Sequence, residues 1–183
     1  MRTFLFAVLL LLANGAFAQT TMSDALKSMP DSLMPYLTHN NRLDCIDFCE
    51  ANMKAEVRNV LDGKSELLRL TKNYALFRLN DASSVEFCLL NAEGQQIICM
   101  IQTYGKDLRE SVLTFFTTSW QQLPTERYLA VPYDQFAMSY DPEQMVLTLE
   151  SNNYLDRSAM EDQKEVNKVQ IKLKWSNAGF KES

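Results

Sequence analysis

Along the last two-thirds of this chain apolar positions recur every second residue; along the first third they recur at helical spacing. The clearest alternation is "KVQIKLKW", which sets Val169, Ile171, Leu173 and Trp175 on one face and Gln170, Lys172 and Lys174 on the other. One apolar and one polar face marks an antiparallel strand with a single side in a core. "YALFRL" (Tyr74 to Leu79), "SVEFCLL" (Ser84 to Leu90) and "QIICMIQT" (Gln96 to Thr103) read as further strands, as do "SVLTFFTT" (Ser111 to Thr118) and "EQMVLTLES" (Glu143 to Ser151). Leu67 to Leu70 is a weaker strand, and Tyr133 to Ala137 reads equally as strand or helical turn.

Ahead of the strands, proline-broken sequence predicts three short helices or turns by residue 62. Ser23 suits a cap for the first, Pro30 ends it and opens the next, and Asn40 or Asn41 suits the third. On that third helix Leu43, Ile46, Glu50 and Met53 form one stripe and Cys45, Phe48 and Cys49 an adjoining one. Gly63 is a natural stop. Helices first and strands afterwards give an α+β fold, with short N-terminal helices packed on an antiparallel β-meander of about six to seven strands. The competing architecture is an eight-stranded barrel or sandwich around a small cavity, for which a convincing further strand is missing. The expected boundaries are a leader over 1–18 and one domain over 19–183. Within that domain 19–63 is helical, 64–176 is sheet and 177–183 is a tail.

The stretch "FCLLNAEGQQIICM" decides how two cysteines meet. Glu93 is disfavoured at the positive φ of a two-residue loop, so a three-residue loop with a glycine bulge is expected, with Asn91 opposite Gln95. Val85 then pairs with Ile101, Phe87 with Cys99 and Leu89 with Ile97, giving one apolar face of six residues. A slip of one residue would oppose Cys88 to Cys99 and mix Gln102 and Glu86 into that face. The expectation is that Cys88 and Cys99 point to opposite faces and do not bond each other, with Cys99 in the core.

The opening "MRTFLFAVLLLLANGAFAQ" changes what cysteines mean. Arg2, an apolar run from Phe4 to Leu12 and the small-x-small Ala16-Phe17-Ala18 make a secretory leader. The run falls short of the roughly 20 apolar residues that cross a bilayer. Export is expected, with the mature chain starting at Gln19 and reaching the periplasm or the exterior. No cysteine follows the cleavage site, which argues against a lipoprotein. Losing Arg2 leaves 17 basic against 23 acidic residues. That balance excludes nucleic acid and anionic membrane surfaces as natural partners. With 46% apolar and 22% charged residues the composition is globular, and about 165 mature residues suit one core.

Candidate chemistry is sparse. Cys45 and Cys49, four apart on one helix, lack the spacing of a zinc or redox motif and read as core residues, with a disulfide from there to Cys88 as the alternative. His39, the only histidine, has no nucleophile or oxyanion loop around it and reads as solvent-facing. Ser151 to Asp162 carries oxygen ligands but not a calcium-loop pattern. The five glycines form no phosphate loop. Tyr74, Phe77, Phe115, Phe116, Trp120, Tyr128, Tyr133 and Phe136 could line a pocket, though sheets more often bury such residues. Phe115 and Phe116 are adjacent in a strand, so one of them must meet a second layer or a partner. No residue is assigned as catalytic, cofactor-binding or metal-binding.

"MPDSLMPYLTHNNRLDCIDF" (Met29 to Phe48), "GKSELLRLTKNY" (Gly63 to Tyr74) and "IQTYGKDLRESVLTFFTTSWQQLP" (Ile101 to Pro124) resemble an exported Bacteroidales family, domain of unknown function 3256. The resemblance implies a Gram-negative envelope protein and supplies no activity, cofactor or catalytic residue. Two functions stand at this point. One is a non-catalytic binding or accessory domain with a protein or small-molecule partner in the envelope. The other is a carboxylate-dependent hydrolase of envelope or dietary polymers. A cleft with two carboxylates at catalytic separation would favour the second, and an exposed apolar patch the first.

Overall fold

The computed structural model describes residues 19–130, 136–151 and 169–182. Helix α1 (Met22–Lys27) starts at Thr21, whose hydroxyl accepts the Asp24 N–H while the Asp24 carboxylate accepts the Thr21 N–H. Helix α2 (His39–Glu50) repeats this reciprocal cap with Thr38 and Asn41. Both helices therefore begin ahead of Ser23 and Asn40, because a threonine with a polar residue three positions on satisfies two orphan N–H groups rather than one. A single 3₁₀ turn, Asp31–Leu33, follows Pro30.

Seven strands then run as an antiparallel meander in chain order. They are β1 (Glu56–Arg58), β2 (Lys64–Leu70), β3 (Tyr74–Asn80), β4 (Ser83–Ala92), β5 (Gln95–Tyr104), β6 (Glu110–Thr117) and β7 (Gln122–Leu123). The α+β class and the meander are as expected. The strands read near 143–151 and 168–175 do not extend that meander. They form β9 (Val146–Ser151) and β10 (Gln170–Ser176) of a second antiparallel sheet, completed by β8 (Phe136–Asp141) and β11 (Gly179–Glu182). Strand β1 lies inside the expected helical segment, and β11 occupies the expected tail.

The main sheet is buried on both faces. Against the helices it sets Phe77, Val85, Phe87, Leu89, Ile98, Met100 and Phe116, packed on Met22, Leu26, Met34, Leu37 and Ile46. Against the second sheet it sets Tyr74, Cys88, Leu90, Cys99, Ile101, Leu113 and Phe115, packed on Met138, Tyr140, Leu147, Leu149, Leu173, Trp175 and Phe180. Phe115 and Phe116 thus go to opposite cores, and the second layer they required is β8–β11. The last strand docks through Gly179, where a Cβ would lie 2.8 Å from the Tyr128 carbonyl oxygen. Only glycine lets the Phe180 N–H reach that oxygen, at 2.7 Å.

Burial on both faces corrects the hairpin register. The β4–β5 turn is a two-residue loop in which Glu93 has φ 50° and Gly94 φ 82°. Ala92 opposes Gln95, Val85 opposes Gln102 and Cys88 directly opposes Cys99. Val85 faces the helices and Ile101 the second sheet, so the six-residue apolar face does not exist as such. The expectation failed because it required one wet face. Nearly every residue from Val85 to Leu90 and from Ile97 to Ile101 is buried, so either register hides apolar side chains and the pattern has no vote. The left-handed glutamate is held from outside: its N–H donates to the Asn177 carbonyl at 3.0 Å and its carboxylate pairs with Arg127 at 2.6 Å. A three-residue loop of the kind expected there occurs two hairpins later, between β6 and β7. Thr117 opposes Gln121, and Trp120, at φ 63°, stands in the glycine's place.

Candidate functional site

The polar groups that stand out lie where the main sheet meets the edge of the second. Strand β8 is an outer strand of its sheet, so alternate N–H groups have no ladder partner. Side chains of the main sheet supply acceptors instead. Ser111 Oγ accepts the Met138 N–H at 2.8 Å and also bonds Thr103 Oγ1 at 2.8 Å. Glu86 Oε2 accepts the Tyr140 N–H at 3.2 Å and the Tyr74 hydroxyl at 2.7 Å.

Glu86 is only 8% exposed, and burial pushes its carboxyl pKa up against the lowering effect of Tyr74, the Tyr140 N–H and the charge of Arg109. The groups acting on it are a phenol, a backbone amide and a guanidinium; none is a second carboxylate. Burial, with Glu86 alongside, raises the Tyr74 hydroxyl as well, so it stays a donor. Beside this pair opens a cleft of about 400 Å³ lined by Arg78, Asp81, Ser83, Glu86, Arg109 and Met138 among others. Among the described residues Ser83 Oγ is buried without a hydrogen-bond partner. A wider polar cavity of about 730 Å³ lies at the tip of the β4–β5 hairpin, where Glu93 and Arg127 neutralise each other.

The residues singled out from sequence do not converge on either cleft. His39 is the first residue of α2 and is exposed. Cys45 is buried in the helix-side core, where burial pushes its thiol up to about 11, and Cys49 is half-buried beside it. The main sheet lies between them and Cys88, so the alternative disulfide from Cys45 or Cys49 to Cys88 is excluded. Of the aromatics, Phe77, Phe116 and Trp120 fill one core and Tyr74, Phe115 and Tyr128 the other. Tyr133 and all of the oxygen-rich segment after Ser151 lie outside the described residues. Among the described residues no group of three or more His, Cys, Asp or Glu is placed to hold a metal ion, and no helix is long and apolar enough to cross a membrane. Sequence reading missed Glu86 and Arg42. The available signal was a lone charge inside an apolar run, as in "VEFCLL".

A family model described as a protein of unknown function, DUF3256, matches residues 14–177. This chain belongs to the DUF3256 family. No curated protein matches it. A solved structure described as a domain of an uncharacterized protein from Porphyromonas gingivalis W83 shares the fold of this DUF3256 protein. The TM-score is 0.69 and the identity 17%, over 88% of this chain and 97% of that one. That neighbour agrees with the Bacteroidales character of the family resemblance.

Proposed function

We propose that this DUF3256 protein is exported and serves the cell envelope as a non-catalytic binding or accessory domain for another protein. The leader-like segment over 1–18 supports export. The observation that carries binding is an apolar strip where the helical layer stops. Tyr104 and Val112, 46% and 52% exposed, lie on the same side of β5 and β6 as the core residues Met100 and Phe116. Half-buried Leu33 and Tyr36 sit at the rim of the helical layer, and Gln102 Nε2, between Met100 and Tyr104 on that face, donates to the Leu33 carbonyl at 3.5 Å. That face of the sheet therefore continues past its own cover with Tyr104 and Val112 exposed, opposite Glu110 and Gln102, the arrangement of a surface that meets a partner through two apolar side chains with polar groups beside them. A hydrolase would need a second carboxylate acting with Glu86. Asp81 is the other carboxylate lining the cleft beside Glu86, and the groups that shift Glu86 are Tyr74, the Tyr140 N–H and Arg109 rather than Asp81.

Native mass spectrometry on protein from its own envelope fraction tests this reading. The expected result is a chain cleaved after Ala18 in a complex with a second protein, released by Val112→Glu. A bare monomer from wild type, or a complex indifferent to Val112→Glu, contradicts it.

A further inference from the structure

The two buried thiols of the main sheet have no part in the reading above, and their placement carries its own chemistry. Cys88 on β4 and Cys99 on β5 are directly opposed, on the same face, and both are buried in the core between the sheets. Directly opposed residues of an antiparallel pair have Cα atoms about 4.5–5.5 Å apart. That lies inside the roughly 4.4–6.8 Å range a disulfide spans. Four cysteines allow six single pairs in principle, but Cys45 and Cys49 are across the sheet, four apart on one helix. Cys88–Cys99 is the one pairing that needs no rearrangement of the fold.

We infer that Cys88 and Cys99 form a cross-strand disulfide, closed by a disulfide-carrying oxidant while the β4–β5 hairpin is still open and then sealed beneath the second sheet. One cysteine thiolate attacks the oxidant's disulfide, giving a mixed disulfide and releasing one oxidant thiol. The other attacks that mixed disulfide at the protein sulfur, forming the Sγ–Sγ bond and releasing the second oxidant thiol. The protein loses two protons and two electrons, and the oxidant gains both.

The order of events follows from burial. Both cysteines are fully buried in the finished fold, in the same core as Tyr140 of β8. Burial also raises the Cys88 thiol pKa, so little thiolate exists once the sheets have met. Oxidation thus belongs to the open hairpin, and a chain that folds reduced keeps its thiols. Meeting an oxidant of this kind rests on the export reading of the previous section.

Two arms separate the pairing from the export reading. The chain is unfolded in denaturant with all thiols reduced, refolded in glutathione disulfide, acid-quenched, alkylated and cleaved at Glu93, the only glutamate between the two cysteines. The expected product is two peptides joined through Cys88 and Cys99, lost in Cys88→Ser and in Cys99→Ala, and kept in the Cys45→Ala/Cys49→Ala double variant. The same buffer added to chain already folded and reduced links the pair at least about tenfold more slowly, since it must wait for local opening. Refolded protein with four alkylated cysteines, linkage through Cys45 or Cys49, or equally fast linkage of folded chain would overturn the inference. The second arm expresses the full chain in a Gram-negative host and fractionates it. Uncleaved chain retained in the cytoplasm refutes export and leaves the first arm to decide the disulfide; exported chain with both thiols free refutes the disulfide alone.

Discussion

Arg42 has no exposed surface, and its guanidinium holds together the proline-broken segment ahead of α2. Its Nη2 donates to the Met29 carbonyl at 2.6 Å; its Nη1 donates to the Leu37 carbonyl at 3.3 Å and to Asp31 Oδ1 at 2.6 Å. The Asp31 side chain is 62% exposed, so the buried charge is answered by a carboxylate that stays in water. Arg42→Ala leaves two buried carbonyls without donors and a cavity behind, and should cost on the order of 3 kcal/mol in urea denaturation. Arg42→Lys loses the fork that reaches two sites at once, and should recover less than half of that. The β4–β5 turn offers a second test. Glu93 at φ 50° carries about 1 kcal/mol of backbone strain. Its exposed pair with Arg127 returns less than that. Glu93→Asn should therefore hold stability or raise it by up to about 1 kcal/mol, and Gly94→Ala should lower it by about 1 kcal/mol. A clear loss in Glu93→Asn would mean that Glu93 is not left-handed.

Strand β8 depends on acceptors borrowed from the main sheet, and this makes the joint between the sheets sensitive to pH through Glu86. Because burial raises its pKa, the folded chain keeps a proton on Glu86 to higher pH than the unfolded chain, for which 4.5 is the ordinary value. The folded state therefore binds more protons, and stability from this group is full below 4.5 and falls as pH rises through the folded pKa. Glu86→Gln keeps an oxygen for Tyr74 and for the Tyr140 N–H without a buried charge. In thermal melts between pH 4 and pH 8 the variant should gain on wild type as pH rises above 4.5, level off once pH passes the folded pKa, and be the more stable of the two at the upper end. A constant difference across that range would show that Glu86 does not titrate between the sheets. Elements of this kind explain what was legible in the sequence. Period-two runs located β3 to β6, β9 and β10 because each strand's own side chains carry that signal. Strands β1, β7 and β11 have two to four residues each and exist through their neighbours, so no run marks them.

Taken whole, the molecule is a sheet covered by helices on one face and by a second sheet on the other, and two tryptophans tie the covers down. Trp120 Nε1 donates to the Ala25 carbonyl of α1 at 3.0 Å, and Trp175 Nε1, from β10, to the Asn91 carbonyl of β4 at 2.9 Å. The sequence holds the signature of this arrangement in the contrast between two kinds of strand. "VEFCLL" and "IICMI" are apolar on both faces, as a middle layer must be; "QIKLKW" alternates, as an outer sheet with one wet face must. Each run was readable alone, but their division between two sheets depends on long-range contacts that local period does not encode. The same gap hid the Glu86 joint and turned the hairpin register the wrong way. That register orders everything else: it sends Cys88 and Cys99 together between the sheets, leaves Val85 and Phe87 to the helices, and sets Glu86 under β8. Cross-strand NOEs in the labelled protein read it directly. The account predicts contacts linking Phe87 to Met100, Leu89 to Ile98 and Asn91 to Gln96. Contacts linking Phe87 to Cys99 and Leu89 to Ile97 instead would move every side chain of β4 against its partner by one place, and the two-faced core with its paired thiols would be wrong.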